Sequence, residues 1–116
     1  MRDIKFRAWH RSAKEIIFPK KQWHLFAWDE DEKQPIIIMQ YIGLKDIEEK
    51  EFYHYDIAEF PNGDRFIILQ EDWLEFYVEW IGEPECEDQA RDLYRISKAK
   101  IIGNKFENPE LLKDNQ

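Results

Sequence analysis

The segment DIAEFPNGDRFIILQ, residues 56–70, consists of two apolar runs joined by a turn sequence. The runs cover residues 56–60 and 65–70, and Pro61-Asn62-Gly63-Asp64 connects them. An Asn-Gly pair between apolar runs is a strong short-range signal for a β-hairpin, because both residues tolerate the positive φ angles of tight hairpin turns. The segment therefore predicts a β-hairpin in the middle of the chain.

Strand patterns continue from this hairpin toward the C-terminus. Residues 74–81 alternate between apolar and more polar side chains, which is typical of a half-buried strand with one face in water. Residues 93–97 and 100–106 are predicted as closing strands, and Asn108-Pro109 predicts the start of a short helical turn. This series of short strands in the C-terminal half favours a small SH3-like barrel or a strongly twisted antiparallel sheet.

The N-terminal half adds further strands to this sheet. Residues 3–9 alternate, with Ile4, Phe6 and Ala8 on one side and Lys5, Arg7 and Trp9 on the other. Residues 15–18 and 22–28 are predicted as the next two strands. Residues 36–42 are apolar on both faces, which indicates burial on both sides or a covered interface. The predicted fold class is therefore mainly β, with a short C-terminal helical turn.

Length and composition predict one domain that spans residues 1–116. A chain of this size buries enough surface to fold without disulfides or metals. The single cysteine, Cys86, excludes an internal disulfide, and its acidic neighbours disfavour a reactive thiolate. The chain shows no apolar stretch of signal-peptide or membrane-spanning length, so we expect it in the cytoplasm, with no membrane contact.

Charge is distributed unevenly along the chain. The net charge of −8 argues against general affinity for nucleic acid. Residues 1–22 nevertheless hold seven basic and two acidic side chains, whereas residues 71–92 hold nine acidic side chains and one basic. The basic end leaves a local nucleic-acid contact open, and two regions of opposite charge would also suit contacts between copies of the chain.

No arrangement of residues predicts catalysis, a metal site or a cofactor site. The histidines His10, His24 and His54 do not pair at metal-ligand spacing, and four glycines are too few for a nucleotide-binding fingerprint. His54 and Asp56 are the one local histidine–carboxylate pair. On a strand they would point to the same face, which would allow a hydrogen bond or a weak divalent-cation site.

Three separated segments resemble the YopX family of phage and prophage proteins. They are MRDIKFRAW at residues 1–9, MQYIGLKD at residues 39–46 with its continuation through residues 50–57, and IIGNKFENPELL at residues 101–112. The resemblance implies a phage-type origin, a bacterial host cell and a mostly β fold. It implies no reaction and transfers no catalytic residue. We also expect residues 43–56 to pack against residues 101–109, because both carry family-like residues.

The chain departs from the family pattern at two turns. Glu49 and Tyr55 stand where the family usually has glycine. Glycine at such places commonly adopts a positive φ angle. The two substitutions therefore predict turns that are wider or differently built.

These observations favour a small, non-enzymatic phage- or prophage-encoded protein that binds another protein or itself. The candidate interaction residues lie on two predicted strands: Lys5, Arg7 and Trp9 on the first, and Ile37, Met39 and Tyr41 on the strand at residues 36–42. The last three would fit the core of the chain equally well.

Two alternatives stay open. One is a nucleic-acid-binding module that uses the basic N-terminal segment and exposed aromatic side chains. The other is a carboxylate- or metal-dependent hydrolase that uses His54 and Asp56.

Overall fold

The computed structural model describes residues 5–18, 36–70, 75–85 and 93–113. Eight strands lie in these ranges: β1 (Phe6–His10), β2 (Glu15–Ile17), β3 (Ile36–Lys45), β4 (Glu51–Tyr53), β5 (Asp56–Glu59), β6 (Arg65–Gln70), β7 (Phe76–Ile81) and β8 (Lys100–Asn104). Two short 3₁₀ helices cover Leu93–Lys98 and Pro109–Leu112. The mainly β prediction is confirmed. The predicted strand at residues 22–28, His24 and Cys86 lie outside the described residues.

The strands form two four-stranded antiparallel sheets, one of which curls into a half-barrel. The first sheet has the order β2-β1-β3-β4, and the second has the order β7-β6-β5-β8. The chain passes from the first sheet to the second through the two-residue turn His54-Tyr55, which joins β4 to β5. A strongly twisted antiparallel arrangement in the C-terminal half agrees with the sequence, and closure into an SH3-like barrel stays a prediction.

The hairpin predicted around Asn62-Gly63 is confirmed. β5 and β6 pair from Ile57 opposite Ile67 to Glu59 opposite Arg65. Gly63 has a φ of +97°, and its N–H donates to the carbonyl of Phe60. The space around a Cβ at Gly63 is empty, so the backbone conformation rather than crowding accounts for glycine at this position.

The main apolar core lies against one face of the second sheet. Its buried members are Ile42, Phe52, Ala58, Phe60, Phe66, Ile68, Ile96 and Ala99. Phe76, Val78 and Trp80 of β7 pack against this core while Tyr77 and Glu79 are exposed, which confirms the predicted alternation. A smaller cluster of Phe6, Ala8 and Ile36 lies in the first sheet.

The predicted strand at residues 93–97 is wrong, because this segment forms the first 3₁₀ helix, Leu93–Lys98. Ile96 and Ala99 are both fully buried, and the Ala99 N–H donates to the Ile96 carbonyl. A spacing of three residues places two side chains on one face of a 3₁₀ helix but on opposite faces of a strand. The need to bury both residues therefore favours the helix.

The short C-terminal helical turn is confirmed at Pro109–Leu112, but Asn108 does not cap it through its side chain. Asn108 Oδ1 instead accepts the backbone N–H of Asn104 at 3.3 Å. The Asn108 side chain also occupies the space that a Cβ at Gly103 would need, so glycine permits this close contact.

The turns at Glu49 and Tyr55, predicted to be wider or differently built, have the backbone that glycine favours, because both residues adopt positive φ angles, +65° and +75°. The first turn is held by Asp46, whose Oδ1 accepts the N–H groups of Glu48 and Lys50. Tyr55 donates its N–H to the Ile68 carbonyl at 2.8 Å. The hydrogen bonds around each turn thus hold Glu49 and Tyr55 in a left-handed backbone conformation that residues other than glycine rarely adopt.

The predicted packing of residues 43–56 against residues 101–109 is confirmed. β5 pairs with β8, with Asp56 opposite Asn104. Asp46 Oδ2 accepts the Ile101 N–H at 2.9 Å, and Lys105 donates its N–H to the Tyr55 carbonyl at 3.0 Å.

The positive φ angle at Glu49 gives a stability prediction. Glu49→Gly and Glu49→Ala remove the same exposed side chain, but only alanine retains the Cβ that conflicts with the left-handed backbone. We expect the glycine variant to be more stable than the alanine variant by about 1 kcal/mol, measured by urea unfolding. An alanine variant as stable as the glycine variant would show that the turn relaxes at no cost.

Candidate functional site

A buried ion pair connects the two sheets. Arg7 of β1 and Asp56 of β5 are 7% and 1% exposed, and Arg7 Nη2 lies 2.6 Å from Asp56 Oδ1. Arg7 stands opposite Met39 in the β1–β3 ladder, and its Nη2 is 3.8 Å from Met39 Sδ. The guanidinium also lies 4.6 Å from the centre of the Tyr53 ring, a cation–π distance.

Both carboxylate oxygens of Asp56 accept hydrogen bonds. Oδ1 accepts one from the Arg7 guanidinium, and Oδ2 accepts the Tyr53 N–H at 2.7 Å. Burial raises the pKa of the Asp56 carboxyl above its ordinary value, while the Arg7 charge and the Tyr53 N–H act in the opposite direction. Both oxygens are engaged in bonds that connect strands, so the arrangement suits a structural role better than acid–base chemistry.

The remaining polar contacts of Arg7 are incomplete. Its Nε is buried and has no hydrogen-bond partner among the residues that the structure describes. A buried donor that lacks a partner costs about 1–3 kcal/mol. We therefore expect the ion pair to contribute little net stability as a whole, whereas the loss of one partner should be costly because the other charge stays buried.

An aromatic row lies beside the ion pair and consists of Trp9, His54, Tyr55 and Phe106. The ring centres of His54 and Tyr55 are 3.7 Å apart, Tyr55 meets Phe106 edge-on at 5.1 Å, and Phe106 stacks on Trp9 at 5.6 Å. Lys105 Nζ lies 4.8 Å from the centre of the Tyr55 ring. These contacts stabilise the Tyr55 side chain, although the backbone of this residue has an unfavourable positive φ angle.

His54 and Asp56 do not act together as the sequence pair suggested. His54 lies in the turn between β4 and β5 and stacks on Tyr55, whereas Asp56 is directed to Arg7 and Tyr53. Burial lowers the pKa of His54 to about 4, and the positive charges of Lys105 and Arg7 act in the same direction. The imidazole is therefore neutral at neutral pH. In the ranges that the structure describes, no group of three or more His, Cys, Asp or Glu side chains could hold a metal ion.

The six predicted interaction residues lie close together on the β1–β3 ladder and the segment before it. Their exposure differs: Arg7, Trp9, Met39 and Tyr41 are buried, and Lys5 and Ile37 are half-buried. Lys5 Nζ is 2.6 Å from Glu51 Oε2 and 5.3 Å from the centre of the Tyr41 ring. Most of this set therefore faces the interior of the chain, and its role in partner binding stays a prediction.

Sequence reasoning missed three buried polar residues. Asp46 accepts backbone N–H groups from three residues, Asp64 accepts the Glu85 N–H, and Asn104 accepts the N–H groups of Phe106 and Glu107. For Asp46 and Asn104, the signal that could have found them is an Asp or Asn placed directly before a turn, where its side chain can accept nearby N–H groups. Asp64 follows its turn, and its acceptor role toward Glu85 has no local signal.

An open groove of about 330 Å³ lies at the Gly63 end of the second sheet. It is lined by Glu59, Gly63, Asp64, Arg65, Ile81, Glu83 and Lys113. Arg65 Nε and Glu59 Oε2 are 2.6 Å apart, so part of the charge in the groove is neutralised within it. The mixed charges select no ligand class.

Comparisons with known proteins agree with this fold. The family model described as YopX protein matches residues 5–113. A solved structure, protein EF1440 from Enterococcus faecalis, is 27% identical, with a TM-score of 0.62 over 97% of this chain and 100% of that chain. No curated protein matches the chain. The described part of the chain contains no helix long and apolar enough to cross a membrane.

The buried ion pair predicts that Arg7→Met lowers the free energy of unfolding much more than Lys5→Met does. Arg7→Met leaves Asp56 buried and unpaired, which should cost about 3–5 kcal/mol of unfolding free energy. Lys5→Met removes the half-exposed pair with Glu51 and should cost at most about 1 kcal/mol.

The double variant Arg7→Met, Asp56→Asn should be more stable than Arg7→Met alone, because asparagine keeps an acceptor for the Tyr53 N–H without a buried charge. Urea unfolding measures all three variants. Equal costs for Arg7→Met and Lys5→Met would contradict the assignment of Arg7 to a buried, paired site.

His54 predicts a pH-dependent stability. Its pKa is about 4 in the folded chain against 6.5 ordinarily, so the unfolded chain binds a proton more readily between these values. Stability should therefore fall as the pH is lowered from neutral through this window. We expect His54 to account for about 1 kcal/mol of the loss at about pH 5, with allowance for solvent screening of its half-exposed ring.

The measurement is urea unfolding of the natural chain and of His54→Gln, each at neutral pH and at about pH 5. Glutamine does not titrate, so its loss of stability on acidification should be smaller. The same loss in both proteins would place the effect on other groups.

Proposed function

The chain belongs to the YopX family, and we propose that it is a small, non-enzymatic binding protein that acts on another protein or on a second copy of itself. The proposal includes a phage or prophage origin, a place of action in the cytoplasm of the bacterial host, and one domain over residues 1–116. The use that the fold makes of its polar groups supports the binding role, and the family supports the phage-type origin.

The observation that carries the proposal is the use of the buried carboxylates. Asp46, Asp56 and Asp64 are each at most 6% exposed, and each accepts backbone N–H groups that hold turns or strands. A general acid or base needs a carboxylate that can exchange a proton with a substrate in a cleft. These carboxylates serve the architecture instead, which favours a protein that acts by binding.

Exposed apolar side chains give the surface chemistry for a protein partner. Phe18, Ile47 and Tyr77 are 64%, 59% and 46% exposed. They lie after β2, in the turn before β4 and on β7, so different parts of the described surface offer apolar contact. Exposed aromatic residues are favoured anchors in protein interfaces.

The two alternatives lose support from the same contacts. Asp56 is occupied by Arg7 and Tyr53, which leaves the hydrolase without its proposed carboxylate. The nucleic-acid alternative relied on the basic N-terminal segment, but Arg7 is buried against Asp56 and Lys5 pairs with Glu51. A charge that is already paired contributes less to phosphate binding.

The test is affinity capture from a bacterial host lysate with the full chain as bait, with and without nuclease, followed by purification of the complex. We expect a polypeptide at a constant molar ratio that survives nuclease treatment. Retention of nucleic acid alone would overturn the proposal. So would a turnover activity of the purified chain that Asp56→Asn abolishes while the variant stays folded.

A further inference from the structure

The turn of the β5–β6 hairpin places an exposed asparagine directly before a glycine. Residues 61–63 are exposed, and a Cβ at Gly63 would meet no other atom within 4 Å. No side chain therefore shields the Gly63 backbone nitrogen beside the Asn62 amide. A backbone nitrogen in this position can attack the side-chain carbonyl carbon of the preceding asparagine, and glycine offers the least steric hindrance to that attack.

The reaction open to these two residues is deamidation. The Gly63 nitrogen loses its proton to hydroxide and forms a bond to Asn62 Cγ, giving a cyclic imide. The Cγ–Nδ2 bond breaks, and Nδ2 takes a proton from water and leaves as ammonia, which restores the hydroxide. Water then opens the imide at Cγ to give aspartate, or at the backbone carbonyl carbon to give isoaspartate. Water and hydroxide are the only co-reactants.

The closed turn holds both reacting groups in other contacts. The Gly63 N–H donates to the Phe60 carbonyl at 2.9 Å, so the loss of its proton breaks a hydrogen bond of the hairpin. Asn62 Nδ2 donates to Asp64 Oδ2, and Asn62 Oδ1 accepts the Asp64 N–H, both at 3.0 Å. These bonds have to loosen when Cγ becomes tetrahedral and Nδ2 leaves.

The charge of Asp64 also opposes the reaction. Negative charge develops on Asn62 Oδ1 during the attack, and the Asp64 N–H alone would favour it. The Asp64 carboxylate, however, contacts the same amide group and disfavours a second negative charge beside it.

Asp64 is itself fixed in place. It is 6% exposed, and its Oδ1 accepts the Glu85 N–H at 2.8 Å. Its backbone carbonyl accepts the Phe60 N–H at 2.8 Å, next to the start of the β5–β6 pairing. Because these contacts anchor Asp64, it cannot follow the Asn62 amide as that group changes shape.

We propose that Asn62 is a site of spontaneous deamidation, and that its contacts with Asp64 hold the reaction back while the hairpin turn is closed. The reaction proceeds when the turn opens, so the amount of product records how long the turn has been open. This inference is independent of the proposed binding function.

The product does not fit the closed turn. Aspartate at position 62 lacks the Nδ2 donor and places a carboxylate against that of Asp64, where like charges repel. Isoaspartate adds a backbone atom to a turn that sets the register of β5 and β6. Both products therefore weaken the turn and the contact of Asp64 with Glu85.

The first measurement compares deamidation of the full chain when it is folded and when guanidinium unfolds it, at one mildly alkaline pH. Cleavage after Lys50 and Arg65 releases a peptide that contains Asn62, and mass spectrometry follows its conversion. We expect the folded chain to react roughly ten- to thirtyfold more slowly, as two or more lost hydrogen bonds would require. Asn108 is an internal control, because the proline after it has no N–H to attack.

Matched variants test the role of Asp64. Asp64→Ala should raise the rate at Asn62 in the folded chain by roughly three- to tenfold. Asp64→Asn is a milder variant that removes the charge and should raise the rate in the same direction. Asp46→Ala also removes a buried aspartate from a turn, but Asp46 makes its contacts elsewhere and its loss should leave the rate unchanged.

A second test addresses the product. Asn62→Asp should shift the amide resonance of Glu85, and the shift should be smaller at high salt, which screens the repulsion. Asn62→Ser keeps a neutral acceptor for the Asp64 N–H and should leave that resonance nearly unchanged.

Three results would overturn the inference. They are equal rates at Asn62 in the folded and unfolded chain, an unfolded chain in which Asn62 reacts no faster than Asn108, and equal acceleration by Asp64→Ala and Asp46→Ala. A Glu85 resonance that responds equally to Asn62→Asp and Asn62→Ser would overturn the assigned effect of the product.

Discussion

The buried ion pair between Arg7 and Asp56 constrains how the first sheet meets the second. The chain crosses from the first sheet to the second at a turn of only two residues, and Asp56 follows this turn directly. Its carboxylate reaches back to Arg7 of β1 and to the N–H of Tyr53. The buried charge of each partner is tolerated only in the presence of the other. The apolar core adds a second constraint, because Ile42 and Phe52 of the first sheet belong to the core of the second.

Other polar contacts reinforce the same junction. The Gln70 side-chain amide of β6 donates to the Gln40 side chain of β3 at 2.9 Å, and the Tyr55 N–H donates to the Ile68 carbonyl. Asp46 adds a further connection, because its carboxylate closes the turn before β4 and also accepts the Ile101 N–H of β8. Asp46, Asp56 and Asp64 are each engaged in backbone contacts of the fold, and this is the basis for proposing a binding role.

The parts of the fold that depend on local sequence could be predicted. The Asn62-Gly63 hairpin, the alternation of β7 and the turn at Pro109 all follow from preferences within a few residues. The Arg7–Asp56 pair could not be predicted, because its partners are 49 residues apart and a charged residue in an alternating strand is usually exposed. The segment at residues 93–97 was misread because a short apolar run fits a strand and a helix equally well, and only its packing decides.

The central claim is that the Arg7–Asp56 pair, together with the apolar core that Ile42 and Phe52 share with the second sheet, makes the two sheets one cooperative unit. Native-state hydrogen exchange of the full chain tests it most directly. The amides of Tyr41, Tyr53 and Tyr55 are suitable reporters, because each makes a defined hydrogen bond in or between the sheets. The account predicts that the most protected amides of both sheets open with the same free energy and the same dependence on denaturant. Two separate opening free energies, one for each sheet, would contradict it.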